Sequence, residues 1–296
     1  KQGRIAADNI CGRSSRFHGS QGSSVLKLFG LTAASTGINE KAAQAAGIAY
    51  DKVSVGVLTL SGCSLFGSGT GTTNALAGYD YSQMKFVQFD EPYEGQPLAV
   101  IETTKGTVEA VLYPEYAPNT VDNFVNRANE GFYNDKDIYG LFEQALFLTG
   151  ACNEEGTQGY TNDGKLIANE YSVNLWTFKG ALCSFNGNAG YGDSRFFMVN
   201  NKKLTDEELE ELRSFKDSDG NRYVPDEVID KYVEKGGVIH IAGSYTVFGQ
   251  AISGLDVIED IATSEVDEET ARPIEEIKVK SITIGEYHAA ERGISE

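Results

Sequence analysis

The sequence predicts a mainly β fold, and three stretches carry that reading. Residues 100–104 and 107–113 read as strands joined through Lys105-Gly106, a short turn signal. Residues 180–200 set two strand-like runs on either side of a glycine-rich excursion that opens at Asn186. Residues 273–284 alternate, offering Ile277, Val279, Ile282 and Ile284 to a core. Successive side chains of an extended run point to opposite faces. Arg195, Phe197 and Val199 therefore share one side, and Phe196 and Met198 the other. One face is then available as core and the other as a binding surface.

Helical signals are fewer. Pro118 stands at a helix start, Val121, Phe124, Val125 and Ala128 follow at helical spacing, and Gly131 lies just past the end. Between Asp206 and Gly237 lies an acidic stretch that opens with Thr205 and Glu208 in capping-box spacing and continues to a second helix near residues 226–233. Counted from Asp217, a calcium loop of the EF-hand type would need Gly where Arg222 stands and Glu where Val228 stands, so a solvated helix pair and loop are expected.

At 296 residues the chain has room for one large or two small domains, and 41% hydrophobic content supplies a core. Residues 1–54 hold seven Lys or Arg against three Asp or Glu, while the remainder holds 18 against 40. So acidic a body repels phosphate backbones, which argues against nucleic acid as a ligand. Cys11, Cys63, Cys152 and Cys183 lack metal-ligand spacing, and no Ser, His and Asp constellation for hydrolysis stands out. No metal or cofactor is expected.

Residues 1–52, with Lys1-Gln-Gly-Arg-Ile-Ala-Ala-Asp-Asn-Ile-Cys-Gly, the run from Gly19 to Phe29 and Thr36-Gly-Ile-Asn-Glu-Lys-Ala-Ala, resemble an internal piece of the pyridine nucleotide-disulfide oxidoreductases, near the coenzyme A disulfide reductases. The piece lacks a Gly-x-Gly-x-x-Gly loop and is too short to build a flavin site alone, so it is expected not to be an independent domain. Residues 53–96 form a signal-like segment and linker. Lys52-Val-Ser-Val-Gly-Val-Leu-Thr-Leu-Ser-Gly-Cys63 is similar to the end of a bacterial lipoprotein signal, which would make Cys63 a lipidation site and the following Gly, Ser and Thr a tether. A buried strand ending in a turn is the other reading of that run.

Three blocks, in order, resemble the cyclophilins, the peptidyl-prolyl cis-trans isomerases. Residues 101–125 look like the family's opening hairpin and first helix. Residues 180–200 follow its Gly-x-Leu-Ser-Met-Ala-Asn, glycine loop and Ser-Gln-Phe-Phe pattern with substitutions. Tyr245-Thr-Val-Phe-Gly-Gln-Ala-Ile-Ser-Gly-Leu-Asp-Val-Ile looks like its closing strand and helix. The resemblance covers residues 97–287, with a helical insertion at 204–237 and a tail at 288–296. It implies a closed antiparallel β-barrel capped by two helices.

The activity so implied is prolyl isomerisation of extracytoplasmic polypeptides, with a non-catalytic proline-peptide-binding module as the alternative. A flavin oxidoreductase is a distant third. Location follows Cys63: a membrane-anchored extracytoplasmic lipoprotein if the signal is used, otherwise the cytoplasm. By resemblance the substrate groove holds Phe197, Asn186, Phe185, Phe147, Leu146, Thr149, Ile241 and Tyr245. Leu141 occupies the position of the family's catalytic arginine. Arg195, on the face of Phe197, is the candidate for a relocated guanidinium; pairing with Asp193 is its alternative role. His240 lies at the groove rim or is structural, and Trp176 is expected to pack against the barrel. Cys152 and Cys183 would end neighbouring strands, open to a disulfide or to two buried thiols.

Overall fold

The computed structural model describes residues 80–185, 191–214, 224–267 and 270–292, together with the backbone of one hairpin upstream. That hairpin, β1 (Ser23–Leu28) and β2 (Leu31–Thr36), is antiparallel and belongs to a compact unit of its own, Lys1–Val53. Cys63, Asn186 and the run from Asp217 to Arg222 lie outside the described residues.

The second unit is built on a nine-stranded antiparallel sheet. In chain order its strands are β3 (Pro97–Thr103), β4 (Thr107–Leu112), β5 (Lys136–Asp137), β6 (Gly140–Phe142), β7 (Leu146–Thr149), β9 (Ala181–Ser184), β11 (Phe196–Val199), β12 (Val247–Ser253) and β13 (Lys278–Glu286). A separate pair, β8 (Ile167–Ala168) with β10 (Tyr191–Gly192), lies in the loops. The spatial order is β5-β13-β3-β4-β12-β9-β11-β7-β6. The two edges, β5 and β6, are parts of one stretch, residues 136–142. Between them the Ile138 amide donates to the Ile277 carbonyl and the Tyr139 amide to Leu148, which carries the ladder across the gap. The sheet therefore curls until its edges adjoin, as the expected barrel requires.

Local chemistry fixes the ends of these elements. In the first hairpin the Thr103 hydroxyl accepts from the amides of Lys105 and Gly106, so a side chain closes the turn. Helix α1 (Pro118–Asn129) has no capping side chain at Ala117. Instead the Glu170 carboxylate accepts the amides of Asn119 and Thr120 at 3.0 and 2.9 Å, placing negative charge at the helix start. The expected capping box forms ahead of α2 (Asp206–Ser214), with reciprocal bonds between Thr205 and Glu208. Helix α3 (Asp226–Lys235) completes the insertion, and α4 (Leu255–Ala262) follows β12. Gly254, left-handed at φ +78°, starts α4 where a Cβ would lie 2.4 Å from the Thr107 carbonyl oxygen.

Three apolar clusters result. The inner one joins one face of the sheet, including Ile101, Leu112, Leu182, Phe196, Met198 and Phe248, to Phe124 of α1 and Ile258 and Ile261 of α4. The outer one lies on the opposite face and gathers Phe197, Val199, Leu146, Leu148, Cys183 and Ile241. The third belongs to the insertion, where Trp176 packs with Phe178, Val228, Ile229 and Tyr232. Trp176 thus joins the insertion's core, and its ring stacks on Tyr81 at 6.3 Å.

Candidate functional site

Alternation along β11 divides its side chains as its sequence requires: Phe196 and Met198 go to the inner cluster, Phe197 and Val199 to the outer. Pairing then decides what joins Phe197. Cys183 on β9 and Leu148 on β7 stand opposite it, and Gly140 on β6 stands opposite Leu148. Leu146 shares this face, and Ile241, on the 3-10 turn Ile239–Ile241, reaches it from the loop before β12. The Tyr245 ring meets Phe197 edge-on at 5.0 Å, and Phe185 meets it edge-on at 6.5 Å. Phe197 is left only 2% exposed.

Low polarity marks the site. Burial pushes the Tyr245 hydroxyl up to about 12, with Cys183 and Tyr171 adding to the effect. The Cys183 thiol is raised by burial alone. Cys183 is buried, Cys152 is half-buried, and the two are not bridged.

Leu146, Phe185, Phe197, Ile241 and Tyr245 are therefore brought together. Phe147 and Thr149 are not. Phe147 packs in the inner cluster. Thr149 stands opposite Phe196, wholly buried, and its hydroxyl donates to the Asp137 carbonyl. Their expected places in the groove go to Leu148 and Gly140, one residue out of step. Leu141 likewise faces inward, so the position beside the groove that a donor would occupy belongs to Gly140. Phe147, Thr149 and Leu141, all placed by the resemblance, thus face away from Phe197. The alternation of Leu146 and Leu148 was the signal that would have corrected that placement.

Arg195 takes the second of its two expected roles, pairing with Asp193, and does so buried. It is 5% exposed, its Nε and Nη2 donate to both oxygens of Asp193, and its Nη1 donates to the Gly156 carbonyl. Asp193 also accepts the Arg195 amide at 2.8 Å, so the short segment is self-locked. A guanidinium so fully engaged is a structural ion pair, because withdrawing it would strand a buried carboxylate. It also lies against Phe185, whose ring centroid is 5.6 Å from the guanidinium carbon. Tyr139 went unnoticed in the sequence. Its ring packs against the outer cluster and its hydroxyl is buried without a partner among the described residues. His240 is half-buried beside Glu208, 3.6 Å from its carboxylate.

A curled antiparallel sheet with helices over its inner face and a buried apolar cluster on its outer face fits the cyclophilin class. The sequence profile of the cyclophilin type peptidyl-prolyl cis-trans isomerase/CLD family matches residues 98–284, and the chain belongs to that family. It is 31% identical over 196 residues to a Staphylococcus aureus (strain USA300) protein provisionally described as a peptidyl-prolyl cis-trans isomerase, covering 66% of this chain and 95% of that one. A Staphylococcus epidermidis protein of the same description is 30% identical over 187 residues, covering 63% and 91%. Among solved structures, a cyclophilin type peptidyl-prolyl cis-trans isomerase of Cryptosporidium parvum aligns with TM-score 0.50 and 18% identity over 66% of this chain and 99% of that one, a likeness of fold.

Proposed function

We propose that the barrel is a slow peptidyl-prolyl cis-trans isomerase acting on extracytoplasmic polypeptides. The observation that carries this reading is the one-sided apolar cluster around Phe197, with Leu146, Leu148, Ile241 and Tyr245 gathered on the sheet's outer face. The chemistry needs neither nucleophile nor metal, since the barrier of ~18–20 kcal/mol is lost amide resonance. A planar amide is charge-separated and a twisted one is less so. Moving the prolyl bond from water into an apolar groove therefore favours the transition state over the ground state. Lack of a charge-assisted donor at Gly140 forfeits ~1.5–3 kcal/mol, about one to two decades in rate.

Exchange spectroscopy by NMR on a short prolyl peptide tests this. Wild type should accelerate cis-trans exchange measurably, and Phe197→Ala should remove the acceleration. No acceleration by wild type, with the peptide still bound, would select the second reading, a proline-peptide-binding module. That reading draws on the engagement of Arg195 by Asp193 and Gly156, which holds its guanidinium in a buried ion pair. Extracytoplasmic location rests on the signal-like run ending at Cys63. Intact mass of protein made in a bacterial host would reveal cleavage before Cys63 and acylation of it; an unprocessed mass would remove the tether and the location together.

A further inference from the structure

We infer that Phe185 sets the specificity of the groove, admitting prolines whose flanking residue is glycine or alanine and excluding those flanked by a bulky one. This rests on the groove being a prolyl-peptide site. Cys183 stands opposite Phe197, and Phe185, two residues further along, projects from the same face. Its ring lies 6.5 Å from Phe197 and 6.1 Å from Tyr245, while Tyr245 lies 5.0 Å from Phe197. The three rings close a triangle above the floor of the cluster. A proline seated on Phe197 has its chain neighbours one Cα step away, about 3.8 Å. The side chain of the neighbour on that side must enter the space the Phe185 ring fills.

The ring is also held. Its own amide donates to the Arg195 carbonyl at 2.9 Å, and the guanidinium of the same residue lies 5.6 Å from the ring centroid. Asp193 fixes that guanidinium through both carboxylate oxygens. The buried ion pair thus backs the Phe185 ring.

Two peptide series test the inference, Ala-X-Pro-Ala and Ala-Pro-X-Ala with X as Gly, Ala, Leu or Phe, measured by NMR for binding and exchange. Wild type should favour Gly and Ala over Leu and Phe by about tenfold or more in one series, the scale at which pockets discriminate by size. Phe185→Ala should bring all four within about threefold by improving the bulky peptides. Phe185→Leu, which keeps the strand end covered, should fall between and serves if the alanine variant fails to fold. A flat wild-type profile in both series, or the same preference in the folded variants, overturns the specificity role and leaves the isomerase reading standing. No binding or exchange with wild type or either folded variant overturns both.

Discussion

The two faces of β11 are equally dry but are covered by different things. Phe196 and Met198 are sealed by regular structure, with Phe124 of α1 meeting Phe196 edge-on at 5.4 Å and α4 adding Ile258 and Ile261. Phe197 is sealed by single side chains from a strand end, a loop and a short turn: Phe185, Tyr245 and Ile241. Helices packed through a shared core move only with the fold, whereas a rotamer change moves one ring on a far shorter timescale. Burial alone therefore does not separate core from site. The kind of element that does the covering separates them.

The sharpest way to break this contrast is to put the same charge on each face. Leu141→Arg would bury an unpaired guanidinium in the inner cluster and should abolish folding, seen as loss of a cooperative melt. Gly140→Arg projects to the outer face. A Cβ there would lie 2.9 Å from the edge of the Phe142 ring, which can turn aside, so the fold should survive. If the groove works as proposed, this variant regains a charge-assisted donor and its exchange rate rises about tenfold or more. Folded, active Leu141→Arg with inert Gly140→Arg would reverse the assignment of faces.

Truncations give a smaller effect. Phe196→Ala should cost about 3–5 kcal/mol, because α1 and the sheet cannot collapse onto the void. Phe197→Ala should cost less, since Tyr245 and Ile241, carried on a loop and a short turn, can lean into the gap, while prolyl-peptide binding is lost. Equal urea midpoints for the two would show that the outer cover is as rigid as the inner. The Asp193–Arg195 pair also belongs to the outer face, with side chains 3% and 5% exposed. Asp193→Ala leaves a buried cation unmatched and should destabilise by about 3–5 kcal/mol, whereas the double change to Asp193→Leu and Arg195→Met should recover most of that loss. Denaturant melts of the three proteins decide it.

Much of this was legible in the residues. The hairpin at Lys105-Gly106, helix α1 from Pro118, the Thr205–Glu208 box and the division of β11 into two faces all follow from local pattern, and the cyclophilin resemblance supplied the topology. The site was legible only as far as alternation could be anchored. Phe197 could be placed from its own strand, but Leu146, Phe147 and Thr149 were all assigned together by the resemblance, and adjacent residues of a strand cannot share a face. Arg195 was given two roles, and its pairing with Asp193 is the one that formed; what local pattern could not show is that the pair would be buried. The buried hydroxyl of Tyr139 left no trace in the pattern at all.

The smallest expected effect comes from pH and again falls on the outer cover. His240 sits between Ile239 of the insertion's cluster and Ile241 of the groove, its Nδ1 buried without a partner among the described residues. Burial lowers its pKa from the usual 6.5, Lys202 lowers it further, and Glu208 and Glu143 act in the opposite direction without prevailing. The folded protein therefore resists protonating His240, while the unfolded chain takes up the proton near 6.5. That contribution to stability is fully present above 6.5 and is lost as pH falls toward the lowered folded value. Glu208, whose own pKa is lowered chiefly by the Thr205 amide, begins to lose its contribution only below its ordinary 4.5, so the two windows separate. Thermal melts between pH 7.5 and 5 should show wild type losing more stability than His240→Gln. Parallel curves would mean that the turn carrying Ile241 is indifferent to protons and that the outer cover, in this respect, behaves like the inner.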